Sequence, residues 1–111
     1  MKPKAVVFDL DWTLCEINPE SERNNHTWNE KPIQVMYWAY MWYWWNHLIL
    51  LTGRKEKYRV ITEKWLHDND YHFDEVILQT KSTADKNHIF KCDQLQKIQE
   101  RYDIIAVFDD N

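Results

Sequence analysis

Four short apolar runs divide the chain, and polar or charged residues follow each of them. They cover residues 5–8, 48–52, 75–78 and 104–108. Uninterrupted apolar runs of this length are typical of strands that are buried on both faces of a parallel sheet. The pattern therefore predicts four parallel strands, with 104–108 as the last.

The segments between these runs have the spacing of helices. Residues 57–69 carry apolar side chains at helical intervals, and the last helix has an apolar stripe at Leu95, Ile98 and Tyr102. Strands that alternate with helices predict a Rossmann-like three-layer α/β sandwich around a central, mostly parallel sheet. The polar connection 16–32 reads as a loop, too short for a large cap domain. The length predicts a single domain, 1–111.

The segment 35–45 is apolar or aromatic at every position. As a helix it would be about 16 Å long, half of a bilayer core, so we predict no membrane span. A helix without a polar face is buried on more than one side. Its second side meets either a partner chain, such as another copy, or a missing part of its own chain. The alternative is a core helix with some exposed Trp edge.

The net charge of −4 argues against general attraction to duplex nucleic acid, so a polyanion would need a local basic patch. Two cysteines, Cys15 and Cys92, lack metal-ligand spacing, and Asp9 interrupts the first apolar run too early for a signal peptide. We therefore predict a cytoplasmic protein with reduced thiols. The candidates for a basic patch are Lys81, Lys86, Lys91, Lys97 and Arg101.

Carboxylates follow the first and the last strand. Asp9 and Asp11 come after 5–8, and Asp109 and Asp110 come after 104–108. Parallel strands place their carboxyl ends at one edge, where open α/β sheets bind ligands. Clustered carboxylates repel one another unless a cation neutralises them. The sequence thus predicts a Mg²⁺ site at this edge.

The only glycine, Gly53, lies at the carboxyl end of the second strand between Thr52 and Arg54. A single retained glycine indicates a positive φ or a close approach of the backbone to a ligand. The alternative is an ordinary turn at the strand exit.

Together these motifs resemble those of a known superfamily. Asp9-Leu10-Asp11-Trp12-Thr13, Thr52-Gly53-Arg54, a lysine ahead of the last strand and Asp109-Asp110 resemble the four motifs of the haloacid dehalogenase (HAD) phosphohydrolases. The stretches 2–9, 50–54, 62–66 and 101–110 are similar to the 3′-phosphatase domain of bacteriophage polynucleotide kinase/phosphatases. That family continues beyond the position of Asn111 with a helix and a strand. The resemblance therefore implies a domain truncated at its C-terminus, with an uncovered sheet edge beside the last strand.

The chemical requirements of phosphoryl transfer suggest a role for each of these residues. Asp9 would be the nucleophile that forms an aspartyl-phosphate, and Asp11 the general acid and base. Thr52, with the backbone amides near Asp11 and Gly53, would donate hydrogen bonds to the phosphoryl oxygens. Asp9, the Asp11 carbonyl and Asp110 would hold Mg²⁺; the resemblance favours Asp110 over Asp109 as the metal ligand. The predicted substrate-binding residues are Gly53, Arg54, Thr13 and Trp12.

The catalytic lysine is chosen among Lys81, Lys86 and Lys91. Lys91 lies four residues before Leu95 on the apolar stripe of the last helix, whereas Lys86 precedes that stripe in a predicted loop. A lysine aligned with a buried face needs an anionic partner, here Asp9 and the phosphate; the alternative is a stem that reaches water. Lys91 is therefore the predicted motif lysine.

Three functions compete. The first is a Mg²⁺-dependent 3′-phosphatase acting on nucleic-acid ends, in which Arg54 pairs with a flanking phosphate. The second is a small-molecule phosphatase or nucleotidase, favoured by the net negative charge and by Trp12 as a stacking platform. The third, a non-catalytic interaction module that uses the aromatic helix, is disfavoured because the chemical residues are present. The expected partners are a nucleic-acid 3′ end or a nucleotide as the substrate, and a second copy of the chain bound through residues 35–45. No membrane association is expected.

Overall fold

A four-stranded parallel sheet forms the centre of the computed structural model, which describes residues 2–11, 13–15, 32–80 and 87–109, the last range without the side chains of 87 and 88. Strand β1 spans Lys4–Phe8, β2 His47–Lys55, β3 Glu75–Gln79 and β4 Asp103–Phe108. Their order across the sheet is β3-β2-β1-β4, and every pair is parallel. The predicted α/β architecture is confirmed. The predicted loop 16–32 lies outside the described residues, apart from Pro32.

Helices connect the strands as the spacing predicts. Helix α1 spans Gln34–Trp42, a 3-10 turn at Glu56–Tyr58 leads into α2 at Arg59–Asp68, and α3 spans Asn87–Arg101. Helix α1 is shorter than the apolar run 35–45, because residues 43–45 form a turn. Across the described ranges, no helix has both the length and the apolar character to cross a membrane.

The two faces of the sheet carry separate cores because strand side chains alternate. Val6 and Phe8 of β1 face a cluster that includes Tyr40 of α1 and Trp65 of α2. Ala5 and Val7 face the other side, where Ile98 of α3 covers them. Burying a side chain such as Phe8 completely contributes about 1.5–3 kcal/mol. The central strands β1 and β2 are thereby held rigidly at the middle of the molecule.

Strand β4 departs from the expectation that it is buried on both faces. Its residues alternate between exposed and half-buried, and Ile105 and Val107 are each about half exposed. The expectation was wrong because β4 lies at the edge of the sheet, where β1 is its only partner strand among the described residues. An apolar run alone does not distinguish an edge strand from a central one.

Helix α1 packs only one side against the core of the described chain. The buried Tyr40 hydroxyl donates to the His72 carbonyl at 3.0 Å and accepts the His72 N–H at 2.8 Å. On the opposite side Trp42 is 79% exposed, and Trp45 in the following turn is 83% exposed. The described residues therefore bury α1 on one side only, whereas burial on more than one side was predicted.

Candidate active site

Asp9 lies at the carboxyl end of β1, the strand between β2 and β4. Its backbone N–H donates to the Phe108 carbonyl at 2.8 Å, which extends the β1–β4 ladder to the end of both strands. The residue is only 6% exposed. The parallel order therefore holds the Asp9 carboxylate rigidly, close to Asp109 at the end of β4.

Helix α3 supplies the cation for this pair of carboxylates. Lys91 Nζ lies 3.1 Å from Asp9 Oδ1 and 3.3 Å from Asp109 Oδ2. Burial raises the pKa of Asp9 to about 6, even though the Lys91 ammonium acts in the opposite direction. Burial also disfavours charge on Lys91, but the two carboxylates outweigh it and raise the pKa of Lys91. Helical spacing from Leu95 therefore identified the lysine that contacts Asp9.

A tight turn follows Asp9 and carries Asp11. The Leu10 carbonyl accepts the N–H groups of Thr13 at 3.2 Å, Leu14 at 2.9 Å and Cys15 at 3.2 Å. The turn buries Thr13, and in the described part of the chain its hydroxyl has no hydrogen-bond partner. A buried hydroxyl without a partner is unfavourable, and a ligand oxygen that accepts a hydrogen bond from it would remove that cost. Trp12, the other predicted substrate-binding residue of this turn, lies outside the described residues.

Strand β2 brings Arg54 to Asp11. Arg54 Nε lies 2.9 and 3.1 Å from the two Asp11 carboxylate oxygens, and Arg54 Nη2 lies 2.5 Å from Oδ1. Sequence reasoning assigned Arg54 to a substrate phosphate and did not find this ion pair. The partners are 43 positions apart in the chain, so no local pattern would reveal the pair.

Thr52 and Gly53 precede Arg54 within β2. Thr52 is fully buried, and its hydroxyl oxygen accepts the Arg54 N–H at 3.2 Å, which leaves the hydroxyl proton available as a donor. Gly53 does not have a positive φ, so that part of its prediction was wrong. Strand β2 continues to Lys55, which also argues against an ordinary turn at Gly53, and the close approach of a ligand stays a prediction.

A cleft of about 310 Å³ opens next to Asp109, which shares the Lys91 ammonium with Asp9. Thr13 and Asp109 line it on the polar side, and the start of α1 and the end of β4 supply apolar walls. The apolar lining residues are Ile33, Val35, Met36, Val107 and Phe108. The cleft gives a ligand access to the end of the sheet where Asp109 lies.

The side chains at this edge fit a hard divalent cation in chemical type. Asp9, Asp11 and Asp109 offer only oxygen donors, which Mg²⁺ prefers. Among the described residues, Lys91 contacts Asp9 and Asp109, and Arg54 contacts Asp11. Within the described ranges no three acidic, His or Cys side chains are close enough to hold a metal. The preferred third ligand, Asp110, lies outside those ranges, as do Lys81 and Lys86.

Comparison with protein families gives one match over nearly the whole chain. A family model described as the polynucleotide kinase PNKP phosphatase domain, of HAD type, matches residues 3–111. No curated protein matches the chain.

Solved structures share the fold. A chain of the Pnkp1/Rnl/Hen1 RNA repair complex is 27% identical with a TM-score of 0.84, and the alignment covers 96% of this chain and 35% of that one. A second structure of the Pnkp1/Rnl/Hen1 complex has the same identity and TM-score and is covered to 38%. The class C acid phosphatase from Bacillus anthracis with tungstate bound is 18% identical with a TM-score of 0.70, over 100% of this chain and 53% of that one. The present chain thus spans little more than a third of the complex chains that it resembles.

Proposed function

Because this chain belongs to the family of the polynucleotide kinase PNKP phosphatase domain, we propose that it is a Mg²⁺-dependent phosphatase that removes 3′-phosphates from polynucleotide ends. The observation that carries the proposal is the buried Asp9 carboxylate at the end of the central strand β1, held by Lys91 at 3.1 Å. A single carboxylate oriented at the ligand-binding edge of an α/β sheet is suited to nucleophilic attack on phosphorus.

The chemistry proceeds in two steps. In the first, an Asp9 oxygen attacks phosphorus, the bond from phosphorus to the 3′ oxygen breaks, and Asp11 gives that oxygen a proton. In the second, Asp11 takes a proton from a water that attacks the same phosphorus, the bond to Asp9 breaks, and inorganic phosphate leaves. Asp9 ends as it began, and Asp11 has its proton again.

The phosphoryl oxygens need donors while charge develops on them. Thr52 offers its hydroxyl proton, and the backbone N–H groups near Asp11 and Gly53 offer further hydrogen bonds. Lys91 contacts the nucleophile directly, so it also neutralises charge at the reacting centre. Fixed donors in a buried site stabilise the transition state more than mobile water does.

HAD phosphatases generally use Mg²⁺, and the oxygen donors at this edge suit it. Asp9, the Asp11 backbone carbonyl and Asp110 would hold the ion. Asp109 is the alternative to Asp110, but its contact with Lys91 at 3.3 Å already uses one of its oxygens. The bound ion would neutralise charge on the phosphoryl group.

The substrate class is proposed from the relatives. The structures that this chain resembles at 27% identity belong to an RNA repair complex, which supports a polynucleotide end as the substrate. The net charge of −4 favours a small nucleotide instead, because a polyanion is repelled at long range. The exposed side chains of Trp38 and Trp42 on α1, and of Trp45 in the turn that follows it, support the further proposal that two copies associate there.

A substrate panel tests the function. We expect the wild-type protein with Mg²⁺ to release phosphate from a 3′-phosphorylated oligonucleotide faster than from a 5′-phosphorylated one or a free nucleotide. Chelation of Mg²⁺ and the Asp9→Asn variant should each abolish release. Faster release from nucleotides than from oligonucleotides would favour the nucleotidase, and no release from any phosphomonoester would overturn the proposal.

A further inference from the structure

The Arg54–Asp11 ion pair joins the group proposed to bind the substrate to the group proposed as the acid. Both oxygens of Asp11 contact the guanidinium, at 2.9 and 3.1 Å from Nε and 2.5 Å from Nη2. The pair is partly buried, since the Arg54 and Asp11 side chains are 17% and 27% exposed. A planar guanidinium that engages both carboxylate oxygens fixes the orientation of the carboxylate as well as its position.

This arrangement is incompatible with the role of Asp11 as the general acid. The general acid has to bring an oxygen within hydrogen-bond distance of the leaving oxygen. Arginine has only donors, so an Asp11 carboxyl group that turns to donate to the leaving oxygen has to give up the bidentate arrangement. Some event in the catalytic cycle must therefore separate the two side chains.

We propose that Arg54 is a latch on Asp11 that the substrate itself releases. A 3′-phosphorylated strand carries a diester phosphate one nucleotide inward from the reacting phosphate. That diester offers Arg54 two oxygens in the same geometry as a carboxylate. Arg54 exchanges Asp11 for this phosphate, and the released Asp11 carboxylate takes up from solvent water the proton that it donates when it turns toward the leaving oxygen.

The inference rests on the proposed function and makes Arg54 a positioning residue that sets substrate specificity. A substrate without the second phosphate has to break the Arg54–Asp11 pair without offering Arg54 a second pair of phosphate oxygens. The penalty falls on the step that needs the acid, so discrimination appears in kcat as well as in KM. A residue that only binds substrate would change KM instead.

The test uses two substrates that differ by one nucleotide: a nucleoside 3′-monophosphate, and a dinucleotide with one internal diester and a 3′-phosphate. Both have the same poor leaving group. With the wild type we expect a higher kcat for the dinucleotide. In Arg54→Ala, kcat for the monophosphate should rise about two- to fivefold, the order expected for a partly exposed ion pair, while kcat/KM for the dinucleotide falls. The difference in kcat between the two substrates should disappear.

Arg54→Lys separates charge from geometry. Lysine keeps the positive charge but cannot bind two oxygens in a fixed plane. Like Arg54→Ala, this variant should have a raised kcat for the monophosphate. Its KM for the dinucleotide should be lower than that of Arg54→Ala. Lys64→Ala is the control, because Lys64 also forms an ion pair, with Asp68 at 2.8 Å, but on the exposed side of α2. It should leave both rates unchanged, and circular dichroism confirms that each variant is folded.

Equal losses of kcat/KM for both substrates in Arg54→Ala would overturn the latch, because they would show that Arg54 binds the reacting phosphate itself. A fall in kcat for the monophosphate would overturn it too. Failure of the proposed function is distinct, since the wild type would then hydrolyse neither substrate or, as a nucleotidase, would hydrolyse the monophosphate faster than the dinucleotide.

Discussion

Replacing Asp9 by asparagine should stabilise the protein at neutral pH while it abolishes catalysis. Asparagine keeps the shape of a protonated aspartate and removes the charge. The pKa of Asp9 is raised by burial from 3.8 to about 6, so the folded state holds the proton more tightly than the unfolded chain does. The shift already includes the attraction of Lys91, and it therefore measures the net cost of ionising Asp9 in place.

The magnitude follows from linkage. A pKa that is raised on folding makes the free energy of unfolding fall as the pH rises from 3.8 through 6, and the loss is complete above that range. At 1.36 kcal/mol per unit, the ionised carboxylate costs about 3 kcal/mol at pH 7.5 and only about 0.6 kcal/mol at pH 4. In the absence of Mg²⁺, the free energy of unfolding of Asp9→Asn should exceed that of the wild type by these amounts.

Urea denaturation of both proteins at pH 7.5 and pH 4, in chelator, measures the difference. With a urea m-value of about 1–3 kcal/mol/M, the midpoint at pH 7.5 should rise by about 1–3 M in the variant, and at pH 4 the two curves should nearly coincide. Saturating Mg²⁺ should narrow the gap at pH 7.5 by stabilising the wild type. An equal gain at both pH values would refute the reasoning, because the cause would then not be ionisation. A less stable variant at pH 7.5 would refute it as well.

Three further predictions concern the metal, the acid and the aromatic helix. Mg²⁺ at about ten times its Kd should stabilise the wild type by about 1.4 kcal/mol and raise its Tm by several degrees in a thermal melt; no shift would argue against a metal site. In single-turnover kinetics, Asp11→Asn should lose about 10²–10⁴-fold in the rate of the first step on a 3′-phosphorylated oligonucleotide and much less on p-nitrophenyl phosphate, whose leaving group needs no proton; equal losses in this first-step rate would exclude Asp11 as the acid. Trp42→Ser with Trp45→Ser should weaken self-association in sedimentation velocity, with Val60→Ser, at an exposed site on α2, as the control. A wild-type monomer at all concentrations would show that this surface does not join two copies.

The sequence predicts the strands and the position of Lys91 because both depend on local periodicity. Buried runs mark β1 and β2, and a four-residue step from Leu95 aligns Lys91 with the sheet. The exposure of β4 depends on what lies beside it in space, and an apolar run carries no information about that.

Some contacts of the site were predicted from the sequence, and others were missed. The acids Asp9 and Asp109 were expected to converge because parallel strands share an edge, and they do. The Arg54–Asp11 pair was missed because it depends on the turn after β1 meeting the end of β2. The φ of Gly53 was mispredicted because the extended strand continues past it. Contacts between distant segments thus decide the details that local patterns leave open.

Trapping the covalent intermediate tests the assignment of Asp9 most directly. In Asp11→Asn the second step lacks its base, while p-nitrophenyl phosphate still reacts in the first step because its leaving group needs no acid. Mixing this variant with p-nitrophenyl phosphate and Mg²⁺ should give a burst of one equivalent of p-nitrophenol. Mass spectrometry should then find one phosphoryl group on Asp9, and none in the variant that also carries Asp9→Asn. Steady release of p-nitrophenol without protein phosphorylation, or a phosphoryl group on another residue, would contradict the mechanism.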